Sequence, residues 1–213
     1  MALELTSERA LIFRITHIEN VPWILDHGLH CASSVVKDPN FRPIGDRYLI
    51  AKREGRAIPI EPFGTISDYV TFYFTPHSPM LLKITTGHGG IERVSARDIV
   101  VLVSSLHVLM EQEVPFLFTD SHASMRDARF FRDLASLTSV DWALIRSRNF
   151  ARSVEDPSRM QRYEAEALAH RHVPLSALLG MACQSVRECG IIQEQVNQRN
   201  LDLKVAARPG WYF

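Results

Sequence analysis

"YEAEALAH", residues Tyr163 to His170, is the segment on which the fold turns. Glu, Ala and Leu are among the strongest helix formers, so local propensity reads a helix. Alternation reads a strand, with Glu164, Glu166 and Leu168 on one face and Ala165, Ala167 and Ala169 on the other. A strand would hold a carboxylate at a fixed place on a sheet, where it can serve a site. A lone Glu in an Ala-rich stretch is more often a solvated helix residue. The residues by themselves leave both readings open.

The surrounding chain favours a sheet. "LIFRITH" (Leu11–His17) alternates as a strand, with Ile12, Arg14 and Thr16 on one face and Phe13, Ile15 and His17 on the other. A helix follows, with its start near Asn20 and Pro22 and its stop at Gly28. "YVTFYFTP" (Tyr69–Pro76) is β-branched and aromatic throughout and is closed by proline. "DIVVLVSS" and "PFLFTD" read as strands, as do the later "ACQSV" and "LDLKVAA". Between them "SPMLLKITTGHGG", "LHVLMEQE", "DWALIR" and "RECGIIQEQVNQ" read as helices. "SMRDARFFRDLASL" also reads as an amphipathic helix, with Asp120 placed to cap a start near Ser124. From Lys37 to Gly64 the pattern dissolves into four prolines and three glycines, with only "RYLIAKR" as a short helix. A loop of that length in a compact domain points to function, and its aromatics and isoleucines point to an ordered one. The class is α+β, in one domain over residues 1–213.

Composition narrows the function classes. Lys+Arg and Asp+Glu are both 24, which argues against coating duplex DNA or an anionic membrane by bulk charge. A local groove of arginines stays open, since many basic residues between Arg126 and Arg171 are Arg, the better fork for phosphate. Cys31, Cys183 and Cys189 form no CxxC or zinc spacing, so reduced thiols in a cytoplasmic protein are expected. The N-terminus has acidic residues where a signal peptide needs basic ones, and no apolar run approaches the roughly 20 residues that span a bilayer. No membrane partner is expected.

Phosphate-loop, dinucleotide and nucleophile-elbow motifs are absent. His88 with Gly89 and Gly90 reads as a turn. His170 and His172 alternate at a possible strand end, but no metal motif surrounds them, and no metal is expected. A scattered polar set remains: Arg14, Thr16, Tyr73 and Glu166 on strand-like backbone, and Arg53 in the long loop. Arginine can hold a pyrophosphate, an aromatic ring can pack on a nicotinamide, and a carboxylate can orient a ribose.

Four segments occur together in the order and spacing of one family: "LIFRITHIENVPWIL", "GTISDYVTFYFTPHSPML", "VPFLFTDSHASMRDARFF" and "YEAEALAH". With the ending "RPGWYF", they make the chain resemble the DarT family over nearly its whole length. These are toxins of the DarT–DarG toxin–antitoxin systems. The resemblance implies an ADP-ribosyltransferase fold, a split mixed β-core binding NAD as substrate. The implied reaction moves ADP-ribose onto a base in single-stranded DNA, with a macrodomain partner of the DarG kind reversing it. Thymine is the first expectation for the base and guanine the second.

The resemblance also implies roles. Glu166 matches the catalytic glutamate of a "QAEFLV"-like strand, and Glu164 falls at the glutamine-type position of that pattern. Arg53 matches the assisting arginine of the preceding loop, with Arg56 as the alternative. Arg14 and Thr16 match NAD contacts of the first strand. His77, Met80, Asp120 and His122 are nominated for the acceptor groove. Relatives read "HDYVPFYF" where this chain has Ser67 and Thr71, and Ala167 and Ala169 replace bulkier residues. Those alanines are expected to weaken the strand signal and to loosen the pocket beside the glutamate. Glu166 is expected to bond the NAD ribose and to help remove a proton from the attacking base. An unpaired base is the acceptor that costs least to bring into such a pocket. Two competing readings survive: the same enzyme acting on RNA or protein, and a binding relative without catalysis.

Overall fold

The computed structural model describes residues 4–46, 51, 53 and 55–213. Among the described residues the strands are β1 (Leu11–His17), β2 (Leu29–His30), β3 (Tyr69–Tyr73), β4 (Ile99–Ser105), β5 (Phe116–Thr119), β6 (Phe130–Phe131), β7 (Glu166–His170), β8 (His172–Val173), β9 (Gly180–Cys183) and β10 (Lys204–Ala207). Eight form one sheet in the order β10-β9-β4-β1-β3-β7-β5-β6, and β2 pairs with β8 separately. Only β9 and β10 run parallel, so the sheet is mixed.

The sheet is two halves joined narrowly. β1 and β4 pair at every position from Leu11↔Ser105 to His17↔Ile99. β3 and β7 pair from Tyr69↔His170 to Tyr73↔Glu166. Between the halves, β1 and β3 share the single register pair Phe13↔Tyr73. The sheet therefore splits at its centre, as expected for a split mixed core.

β7 is a strand, and it starts at Glu166. Glu164 ends the helix Arg159–Tyr163, so it does not share a strand face with Glu166 as simple alternation implies. Tertiary pairing overrides the helical propensity of the alanines. β3 and β5 flank β7 and absorb its backbone donors and acceptors. Ala167 lies in register with Phe72 and Phe118, whose bulk fills what a small side chain leaves open. Ala167 and Ala169 enter the main core, whereas Leu168 joins a second small core with Ile58, Ile66, Tyr69, Leu117 and Ala123. The alanines thus lie on the opposite face of β7 from Glu166. The expectation that they loosen its pocket is corrected by this alternation.

The helix Val21–His27 begins with Pro22 in its first turn and ends at Gly28, whose φ is 74°. A Cβ there would lie 2.4 Å from the Val173 carbonyl oxygen. Gly28→Ala should cost about 1–3 kcal/mol, adding left-handed strain to a backbone clash between β2 and β8, and thermal melting would register it. The helices Pro79–Thr86 and Val186–Gln198 are capped by Ser78 and Ser185. The Asn20 side chain caps nothing: it is used elsewhere, as described below.

One expected helix does not form. Ser124–Leu137 is turns, the short strand β6 and a 3-10 turn over Leu134–Ser139. β6 pairs with β5, and the Phe131 ring stacks on Phe118 at 5.4 Å. Asp120 caps no helix; its carboxylate accepts from the Arg129 backbone N–H (3.1 Å) and Nε (2.6 Å). An open sheet edge outcompeted a helical pattern. Most of the expected "RYLIAKR" helix lies outside the described residues; Ala51 and Arg53 within it are helical.

Candidate active site

Where β1 and β3 diverge, a cleft of about 450 Å³ opens. Arg14, Ile15 and Thr16 line one wall and Tyr69, Val70 and Thr71 the other. Arg14 reaches across the gap, donating from Nη1 to the Thr71 carbonyl (2.8 Å) and hydroxyl (3.2 Å). Both partners are neutral, so Arg14 carries no ion pair among the described residues. Burial pulls its pKa down, and Arg53 facing the same space adds to the effect. Two cations in one largely desolvated cleft form a site for an anion.

The third wall is the segment after Ser33. Thr16 accepts from Asn20 Nδ2 (3.1 Å), which also donates to the Arg42 carbonyl (2.9 Å). Asn20 Oδ1 accepts from the Arg42 N–H (2.8 Å). The buried amide therefore ties β1 to the loop that carries Phe41, Pro43 and Ile44 along the cleft.

Glu166 stands at the end of the cleft where Arg53 enters. Arg53 Nη2 donates to Glu166 Oε1 at 2.7 Å, with side-chain exposures of 14% and 1%. Oε2 accepts from the Ala123 N–H at 2.9 Å. The Glu166 N–H donates to Thr119 Oγ1 (3.1 Å), and that hydroxyl donates to the Ser121 carbonyl (2.6 Å). Burial alone would raise the Glu166 pKa, but the Arg53 charge, with His122 and the Ala123 N–H, holds it below its ordinary value. The carboxylate is ionised and fixed in direction. Burial also opposes the charge on Arg53, and Glu166 restores it. Among the described residues the buried Arg53 Nε has no partner, a donor left over for a ligand.

Tyr73 lies in register with Glu166. Burial, and then the charges of Glu166 and Glu164, keep its phenol protonated, so it can only act here as a neutral donor or acceptor. His122 accepts from Ser124 Oγ (2.8 Å) on Nδ1, and burial lowers its pKa.

An ionised glutamate beside a buried arginine, at the end of a cleft holding a second, unpaired arginine, suits a substrate with both phosphates and a reacting sugar. The family model described as "ssDNA thymidine ADP-ribosyltransferase, DarT" matches residues 13–213. The chain belongs to the DarT family. A curated DNA ADP-ribosyl transferase of Escherichia coli O127:H6 is 46% identical over 209 residues, covering 98% of this chain and 96% of that one. The structure of Thermus sp. 2.9 DarT in complex with ADP-ribosylated single-stranded DNA superposes with a TM-score of 0.89, at 31% identity over 97% of both chains. The same Thermus protein in complex with NAD+ gives 0.82 at 32% identity, covering 97% of this chain and 98% of that one. A Thermosipho africanus protein, described as a fusion of a DNA ADP-ribosyl transferase with a DNA ADP-ribosyl glycohydrolase, is 20% identical over 203 residues, 95% of this chain and 49% of its own length.

Of the residues singled out in the sequence, Arg14, Thr16 and Arg53 share the cleft, and Glu166, Tyr73 and His122 gather at its end. Arg56, the alternative to Arg53, instead donates to the Met125 carbonyl at 3.1 Å. Met80 faces the loop at Gly45, close to the cleft wall at Ile44. His77 lies apart, its ring against Phe213 at 5.5 Å and its carbonyl accepting from the Tyr163 hydroxyl. Asp120 is spent on Arg129. Asn20, Thr119 and the Ala123 N–H went unrecognised. A backbone donor leaves no signal in sequence, and Asn20 resembled a helix cap. Among the described residues no group of three or more His, Cys, Asp or Glu could hold a metal, and no helix is long and apolar enough to cross a membrane.

Proposed function

We propose that this protein, an NAD-dependent DNA ADP-ribosyltransferase of the DarT family, modifies thymine in single-stranded DNA through one domain spanning residues 1–213. The observation that carries the assignment of roles is the Glu166–Arg53 pair at the end of a cleft whose Arg14 has no counter-anion among the described residues. Arg14 and the unpartnered Nε of Arg53 take the NAD pyrophosphate, and Thr16 helps hold the dinucleotide against β1. Tyr73 packs beside the nicotinamide end. Glu166 bonds the ribose whose C1″–N bond breaks, and its fixed negative charge stabilises the oxocarbenium-like transition state. Arg53 keeps that charge in place. His122 and Met80 lie on the acceptor side of Glu166, where His77 and Asp120 contribute through the shape of their segments. The acceptor is unpaired, because a paired thymine hides its N3 within the duplex.

A toxin role follows from modification of template bases, and a macrodomain antitoxin of the DarG kind is the partner we assign. The fusion of transferase and glycohydrolase in the Thermosipho africanus protein supports that pairing. The site of action is the cytoplasm, where NAD and replicating DNA are both present.

Mass spectrometry of nucleosides digested from a mixed-sequence single-stranded oligonucleotide, after incubation with enzyme and NAD, tests the reading. The expected product is ADP-ribosyl-thymidine, absent from a duplex control. An adduct on guanine would move the base, and nicotinamide release without any DNA adduct would move the acceptor to RNA or protein.

A further inference from the structure

Asn20 is 1% exposed between β1 and the segment after Ser33, and its partners fix which way round its amide lies. The Arg42 N–H can only donate, so it faces Oδ1 (2.8 Å). The Arg42 carbonyl can only accept, so it faces Nδ2 (2.9 Å). Two backbone groups of opposite sense therefore leave the side chain a single orientation. In that orientation an Nδ2 hydrogen meets Thr16 Oγ1 at 3.1 Å. Thr16 must accept there, and its own hydroxyl hydrogen is left over. Among the described residues that hydrogen finds no acceptor, and Thr16 lines the cleft.

The same amide grips the cleft wall. Phe41 and Pro43, on either side of Arg42, both line the cleft, as does Ile44. Glu19, beside Asn20, accepts from Arg42 Nη1 at 2.9 and 3.0 Å. That pair is exposed on both sides, so solvent screens it and it holds the wall weakly. The buried amide, with two bonds to the Arg42 backbone, holds it firmly. One side chain thus sets both the direction of a donor on β1 and the place of the wall opposite.

We propose that Asn20 is a positioning residue for NAD: it turns the Thr16 hydroxyl hydrogen into the cleft as a donor to the dinucleotide and clamps the wall at residues 41–44 over it. The inference rests on the reading of this cleft as the NAD site. Asn20 acts through Thr16 and the Arg42 backbone, so its signature is NAD affinity and not the rate of bond cleavage.

The test is the NAD dissociation constant from titration calorimetry without DNA, alongside kcat and KM on a single-stranded oligonucleotide. Asn20→Ala should weaken NAD binding roughly tenfold or more, raising KM for NAD while kcat at saturating NAD changes far less. Hydrogen exchange at the Arg42 N–H should quicken in that variant. Asn20→Asp keeps the shape, yet at mildly alkaline pH it should weaken binding at least as much. Its carboxylate draws the Thr16 hydrogen out of the cleft and faces the Arg42 carbonyl. A residue that merely filled space would be harmed by Ala and spared by Asp. Thr16→Val should weaken binding too, and the Thr16→Val/Asn20→Ala double variant should lose less than the product of the single losses. Arg42→Ala keeps both backbone partners and should cost less than about fivefold.

Asn20→Asp with wild-type affinity, or single losses that simply multiply, overturns the proposal. Thr16→Val with wild-type affinity overturns it even if neither Asn20 variant folds. Arg14→Ala separates the two readings. Unchanged NAD affinity in that variant sinks the NAD assignment of the cleft, whereas a loss there with intact binding by Asn20→Asp sinks the positioning role alone.

Discussion

Glu166→Gln should abolish ADP-ribose transfer, lowering the rate by roughly three orders of magnitude or more. The substitution is nearly isosteric, and the amide oxygen can still accept from the Ala123 N–H that holds Oε2. The Thr119 hydroxyl, which receives the backbone N–H of residue 166, is untouched. What disappears is the negative charge beside the breaking glycosidic bond, together with the partner of Arg53. Removing one member of a buried pair destabilises by up to about 3–5 kcal/mol, less here because Arg53 keeps some solvent access. The variant should therefore melt earlier yet remain folded at assay temperature. Adduct yield and circular dichroism measured on the same sample separate the two effects. A folded Gln variant that still transfers at a tenth of the wild-type rate would remove Glu166 from the chemistry.

Arg53→Ala should invert the pH dependence that Glu166 gives to stability. In the wild type the Glu166 pKa is below its ordinary value of 4.5 despite burial, because Arg53 and its neighbours favour the charged form. The unfolded chain then binds more protons than the native one at acidic pH. This contribution is present above about 4.5 and is lost as pH falls through the native value. Without Arg53, burial dominates and the native pKa moves above 4.5. The native state then holds the extra proton, so stability falls as pH rises from 4.5 towards the new native pKa. Urea midpoints of wild type and variant across acidic to neutral pH should show a difference that grows with pH. A constant difference would mean that Arg53 does not set the ionisation of Glu166. Transfer should be lost at neutral pH in either case.

Much of this site was legible in the chain, for reasons that differ by residue. Arg14 and Thr16 stood out because polar residues interrupt an apolar alternation in β1, and interruptions of that kind need a purpose. Arg53 and Glu166 belonged to the same polar set, but with weaker physical grounds. Arg53 sits in a long stretch without clear pattern, and Glu166 lies in a run whose composition favours a helix; the family resemblance was needed to give them catalytic roles. His77 was picked with them, yet its ring is committed to Phe213 at the C-terminus. Glu164 looked like a second residue of the same strand, and the structure makes it the residue that closes the helix Arg159–Tyr163. The helix expected over Ser124–Leu137 failed because two phenylalanines found the free edge of β5, a partner that no local pattern announces.

The sequence by itself determined the strongly patterned elements. β1, β3, β4 and the capped helices at Val21–His27 and Pro79–Thr86 follow from side-chain alternation, proline and glycine, all local quantities. The tertiary structure alone decided three things. It made the alanines of β7 a strand, because β3 and β5 supply hydrogen bonds and aromatic bulk that the segment lacks. It opened the cleft, because β1 and β3 part after one paired position and Arg14 bridges the gap. It gave two glutamates two residues apart opposite acidities, because a charge interaction depends on distance and burial, and neither is written in residue order.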